Sequence, residues 1–183
     1  MMKQKQPVEL MFVLIICLLV STAAYAQLPP SAKVLPPGFV GAETNLGGTM
    51  LIEATKPNEN FPKPHSDQGI KLQITWQKQP AADMILDMLA KQPEEPAGRI
   101  TGSATREEPC GIKPYHEGVL LCRKVLTPWI GAGSGPDLVT WRITWTGKGS
   151  GGLFTVEINN FFGAKETATG WIDELIPKIT NPK

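Results

Sequence analysis

The stretch Leu138 to Phe162 constrains the fold more than any other part of the chain. Val139, Trp141, Ile143 and Trp145 alternate with Thr140, Arg142, Thr144 and Thr146, the period of two expected of a strand with one buried face. After Gly147-Lys148-Gly149-Ser150-Gly151-Gly152, a second run from Leu153 to Phe161 repeats the alternation. Two such runs across a glycine-rich turn predict a β-hairpin. A turn centred on Gly149 and Ser150 would set Trp145 opposite Phe154, Ile143 opposite Val156 and Trp141 opposite Ile158. Aromatic and β-branched cross-strand pairs contribute about 0.2–1 kcal/mol each beyond an alanine pair, so this wall of side chains holds register as well as stability. A wall of that width needs a cover.

The N-terminus reads as an export signal. Lys3 and Lys5 precede a short apolar run from Leu10 to Val20, and Ala24-Tyr25-Ala26 offers small residues where a signal peptidase would read them. Residues 1–26 are therefore expected to be removed, which leaves no membrane segment. Residues 27–48 form a Pro-rich lead-in and residues 49–183 a single domain. Lys3, Lys5 and Glu9 depart with the leader, taking the formal net charge from +1 to zero. A chain without basic excess is a poor candidate for nucleic-acid binding. Removal of Cys17 also leaves an even pair, Cys110 and Cys122, which in an exported chain predicts a disulfide. Together these features place the protein in the periplasm or outside the cell. The spacing of the cysteines suits neither a zinc site nor a redox Cys-x-x-Cys pair, so neither metal nor cofactor is expected.

Further elements follow in order. Thr49–Thr55 is a short strand, and Gly69–Gln77 a clearer one with Ile70, Leu72, Ile74 and Trp76 on one side. Pro80 opens a helix over Ala81–Gln92, whose Ala81, Met84, Ile85, Met88 and Leu89 form an apolar stripe, a first cover for the wall. Arg99–Thr105 and Val119–Leu126 read as strands, with the cysteines near the inner ends of their connection, so that the disulfide staples a tip containing Tyr115 and His116. A last amphipathic helix, about Lys165 to Pro177, repeats Ala168, Trp171, Ile172, Leu175, Ile176 and Ile179 at helical spacing, a second cover.

Strand, strand, helix, four strands, helix is the pattern of an α+β fold, a central antiparallel sheet with packed helices. This order, carried by Ile70–Leu89, by the Trp141–Ile158 hairpin and by the closing Trp171-Ile172-Asp173-Glu174-Leu175-Ile176, resembles the PsbP-like superfamily of extrinsic photosystem proteins and their DcrB-like bacterial relatives. The resemblance implies an α/β/α sandwich. It also implies accessory, protein-binding roles in place of catalysis, and brings no catalytic residues with it.

Motifs that could carry chemistry do not complete a site. Gly147 to Gly152 satisfies Gly-x-Gly-x-x-Gly, but a dinucleotide loop must lead into a helix and this one leads into a strand pattern. Gly131-Ala132-Gly133-Ser134-Gly135 has the wrong register for a nucleophile elbow, and Pro136 blocks the helix such an elbow needs. His65 and His116 are the only bases of their kind, each without a nucleophile beside it. Glu94-Glu95 and Glu107-Glu108 read as solvated charges in turns. Trp76, Trp141, Trp145 and Trp171 read as core, whereas Trp129 follows Pro128 in a turn with no periodicity to bury it. Tyr115, His116 and Trp129 are thus the candidate binding residues. The expected function is that of an exported, non-enzymatic accessory domain with a protein partner in the cell envelope. The alternative is a small-ligand or carbohydrate-binding module using an aromatic sheet face.

Overall fold

The computed structural model describes residues 34–58, 69–93, 99–101, 105–128, 135–149 and 151–180. Eight strands form one antiparallel sheet: β1 (Val40–Leu46), β2 (Thr49–Lys56), β3 (Ile70–Lys78), β4 (Arg99–Thr101), β5 (Thr105–Tyr115), β6 (Gly118–Thr127), β7 (Leu138–Gly149) and β8 (Gly152–Phe161). Their order is β1-β2-β3-β8-β7-β6-β5-β4. The β7–β8 hairpin occupies the middle. It inserts between β3 and β6, so the most strongly patterned stretch of the chain joins the two halves of the sheet.

The hairpin forms with the expected faces but in a different register. Gly149 pairs with Gly152, which puts Trp145 opposite Val156 and Ile143 opposite Ile158. That is a slip of two residues from the pairing expected above. A slip of two preserves the side on which each residue points, so the apolar wall survives it. Toward the far end Trp141 pairs with Phe161 across a bulge, where Asn160 adopts φ +58°. The bulge is held from outside: Asn160 donates to the Gly69 carbonyl at 3.0 Å and Asn58 donates to the Asn160 carbonyl at 3.0 Å.

The wall is continuous across the sheet. Met50, Ile52 and Ala54 on β2 pair with Trp76, Ile74 and Leu72 on β3, and these pair with Phe154, Val156 and Ile158 on β8. One helix covers it: α2 (Lys165–Thr180) buries Ala168, Ile172, Leu175, Ile176 and Ile179 against this face. This helix bears out the sequence periodicity, although it runs past Pro177, which falls inside its last turn. Of the four tryptophans read as core, two are in it and two, Trp141 and Trp171, are half-buried and packed against it. Trp76 and Trp145 are buried, and Trp171 stands edge-on between Phe39 and Phe161, with ring centroids 5.3 and 5.0 Å away.

The expected α/β/α sandwich with helices packed on both sides is not what forms. The fold is dominated by the sheet, with two helices among the described residues. The other helix, α1 (Ala82–Ala90), buries none of its residues, and Met84 and Met88 are 62% and 59% exposed. The second face of the sheet is mixed: Gln73, Thr75, Thr146, Thr155 and Glu157 offer no apolar surface to cover, while Val119 and Leu153 are the buried apolar side chains on it among the described residues. Thr146 and Thr155 hydroxyls meet there at 3.2 Å, and Arg142 bonds Asn159 at 2.6 Å and Glu107 at 2.9 Å. A face built from such pairs is satisfied in water. At nine residues, about 14 Å, α1 is also too short to span the sheet.

Two strands were not legible. β1 lies within the stretch read as a Pro-rich lead-in, and all seven of its residues are exposed. Its polarity is inverted: Gly41, Glu43 and Asn45 lie on the apolar side of the sheet, and Val40, Ala42 and Leu46 on the polar side. The expected strand Arg99–Thr105 instead covers the whole of β4 and the first residue of a longer β5, which carries Glu107 and Glu108 in a strand and not in a turn.

Candidate functional site

The Cys110–Cys122 disulfide is present, with Cα atoms 5.1 Å apart. It lies inside the β5–β6 ladder and not in a loop between the strands, because β5 continues to Tyr115 and the turn is only His116-Glu117. Cys110 is the extra residue of a bulge between Pro109 and Gly111. The bulge turns the cysteine toward its partner strand while pairing resumes on either side.

Beyond the staple, the tip is fastened by side chains from distant elements. Trp145 on β7 donates its indole N–H to the Tyr115 carbonyl at 3.0 Å. The indole can lie against the tip only because Gly118 and Gly147, which pair across β6 and β7, have no Cβ; a methyl at either position would run into the ring. The Tyr115 hydroxyl donates to Asp173 Oδ1 on α2 at 2.5 Å, and His116 Nε2 lies 3.2 Å from the same oxygen. The Tyr115 and His116 rings meet edge to face at 4.7 Å, and Lys113 Nζ sits 5.2 Å from the centre of the tyrosine ring. His116 holds φ +52°, a left-handed conformation uncommon outside glycine. Its neighbours hold it there.

The fastened tip forms one wall of a cleft of about 820 Å³. His116, Glu117 and Asp173 lie on one side, Lys148, Gly149 and Gly152 from the β7–β8 turn at its end, and Pro80 and Asp83 from the start of α1 on the other. Lys148 and Asp83 form an ion pair that ties the turn to α1. The Gly-x-Gly-x-x-Gly segment thus contributes to a cleft, but Gly152 opens a strand and not a helix, so it lacks the N-terminal amides of a phosphate site.

Chemically, the arrangement holds things in place. Neither serine nor cysteine lines the cleft among its described residues, and the Thr180 hydroxyl is committed to the Ile176 carbonyl at 2.8 Å. Among the described residues no group of three or more His, Cys, Asp or Glu could hold a metal ion, and no helix is long and apolar enough to cross a membrane. Of the candidate binding residues, Tyr115 and His116 come together at the tip; Trp129 lies outside the described residues, as do His65, Ser134, Glu94 and Glu95. Asp173, which organises the tip, escaped the sequence reading. It borders the apolar stripe of α2, but nothing local links it to residues 57 and 58 positions away.

Tyr115 carries a measurable signature. Its pKa is pushed up to about 12 from the ordinary 10, first by the hydrogen bond to Asp173, then by burial and by the negative charge of that carboxylate. Because the folded value is raised, the stabilisation is complete below about pH 10 and is lost as pH rises through 12. Tyr115 is the one tyrosine of residues 27–183, so in protein lacking residues 1–26 phenolate absorbance should appear with a midpoint near 12. Asp173→Asn should bring it down toward the ordinary range. A midpoint of about 10 with Asp173 intact would mean that the tyrosine is not latched to α2.

Compared with known proteins, the chain matches no family model, no curated protein and no solved structure.

Proposed function

We propose that the protein is an exported, non-enzymatic binding domain that receives a protein partner in the cleft beside the β5–β6 tip. One observation carries this reading. The tip is immobilised by the disulfide, by the Trp145 bond to its backbone and by the Tyr115–Asp173 latch, and it forms a wall of a cleft of about 820 Å³. Loops fastened before a partner arrives lose less entropy on binding, so this investment of covalent and polar contacts fits recognition. The disulfide supports an oxidising compartment, and the periplasm or the cell exterior is the proposed location. The alternative of a sugar or apolar ligand stacked on an aromatic sheet face has less support, because Trp76 and Trp145 are buried in the core that α2 closes, with Trp141 half-buried.

Photo-cross-linking in the native envelope tests the proposal. A photoreactive residue replacing Glu117 at the cleft should yield a discrete adduct that the same residue at Glu53, on the polar face of β2, does not. Asp173→Asn, which loosens the tip, should weaken that adduct. Equal labelling from both positions, or none from position 117, would sink the reading.

A further inference from the structure

A second cavity shares no lining residue with the cleft and points to a ligand of different chemistry. It measures about 270 Å³ and lies where the apolar face of the sheet emerges from beneath α2 on the β5–β6 side. Its floor is Leu120, Ile143 and the Cys110–Cys122 disulfide, with the backbone of Gly111 beside them. Leu120 and Ile143 are buried side chains of the sheet, and both line this space. An apolar guest displaces water from walls of this kind.

The rim is cationic from both sides. Lys113 stands on the β5 strand, two residues before Tyr115 and on the same face. Lys165 is the first residue of α2, on the helical stripe that continues through Thr169 to Asp173. Neither ammonium has a carboxylate partner among the described residues; Lys113 rests over the Tyr115 ring. The first turn of a helix also adds positive potential from its unpaired N–H groups. Glu166, the acidic residue of that turn, is exposed and lies about 100° around the helix from Lys165. The two halves of the cavity therefore ask for different ends of one molecule.

We propose that this slot binds a short-chain amphiphilic monocarboxylate, with its carboxylate between Lys113 and Lys165 and its hydrocarbon tail on Leu120, Ile143 and the disulfide. Charge complementarity selects the head group and the apolar floor the tail. A cationic amphiphile meets like charge at the rim, and a neutral alcohol of equal length forgoes the ion pairs.

Calorimetric titration of the exported protein, residues 27–183, with octanoate, held below its micelle-forming concentration, tests this. Saturable one-site binding is expected, with 1-octanol much weaker and octyltrimethylammonium without saturable binding. Each lysine lost, Lys113→Met or Lys165→Met, should weaken octanoate about ten-fold, the scale of a charge-assisted hydrogen bond. Thr169→Trp, a half-exposed position on the helical wall, should block the slot while circular dichroism shows the sheet intact. The proposal is overturned by an absence of saturable octanoate binding, by equal affinity for 1-octanol, or by octanoate binding that survives the plug. Because Glu117 and the cleft are untouched by these variants, their outcome stands apart from that of the cross-linking experiment.

Discussion

Trp145→Ala is expected to destabilise the protein by about 3–5 kcal/mol, the range for removing a large buried aromatic side chain. The side chain is fully buried at the centre of the sheet, opposite Val156 on β8 and Leu120 on β6. Its loss opens a cavity between three strands and α2, and it removes the donor that fastens the Tyr115 carbonyl. Domains of this size are stable by about 5–15 kcal/mol, so the expected loss is a large fraction of the whole. Urea denaturation followed by far-ultraviolet circular dichroism measures the change, with an unaltered slope confirming that stability and not compactness has moved. A loss below about 1 kcal/mol would contradict the central place given to this residue. Trp145→Phe should recover much of the packing but not the tip, because the phenyl ring lacks the N–H.

Reducing the Cys110–Cys122 bond, or replacing both cysteines by alanine, should cost about 3 kcal/mol by the chain-entropy estimate for a loop of this length, their separation being 12 residues. For a domain of this size that corresponds to a fall in Tm of roughly 6–12 °C. Scanning calorimetry with and without reductant reads it directly. A Tm unmoved after complete reduction would show that the ladder on either side of the bulge suffices without the bond. The functional consequence is separate. The staple sits at the Gly111–Cys122 pair and the tip turn at His116-Glu117, with four further cross-strand pairs between them. Reduction is therefore expected to loosen the slot floored by the sulfurs more than the cleft, which keeps its Trp145 and Asp173 fastenings.

How much of this could be read from the chain depended on how local the signal was. The parity of β3, β7 and β8 was legible, because alternation is a property of neighbouring residues: Ile70, Leu72, Ile74 and Trp76 all point to the core. Register was less so. It turned on which residues of a six-residue glycine-rich segment make the turn, and several centres satisfy the same pattern. The stripe of α2 was read correctly, but that of α1 was not, since an amphipathic pattern shows which face is apolar and not whether an apolar surface awaits it. Strand β5 was cut short by Pro109, Gly111 and Pro114, ordinary breakers overridden here by ten-residue β6 on one side and the disulfide across the ladder. The site followed the same rule. Tyr115 and His116 were marked by their place at a stapled tip, whereas Asp173 acquires its role only when α2 crosses the sheet.

The exposed strand β1 has a consequence for how the molecule opens. Val40 and Leu46 are 77% and 65% exposed, and among the described residues the strand is paired to β2 alone, on the edge of the sheet. Its amides are held by hydrogen bonds with almost no buried apolar area behind them, so separating it from β2 costs little of the core. Amide hydrogen exchange should therefore be graded across the sheet, fast in β1 and slowest in β7 and β8, with the strands peeling inward from that edge. The inverted stripe of Val40, Ala42 and Leu46 makes the first strand to leave also the one whose freed backbone is best suited to pairing with another chain.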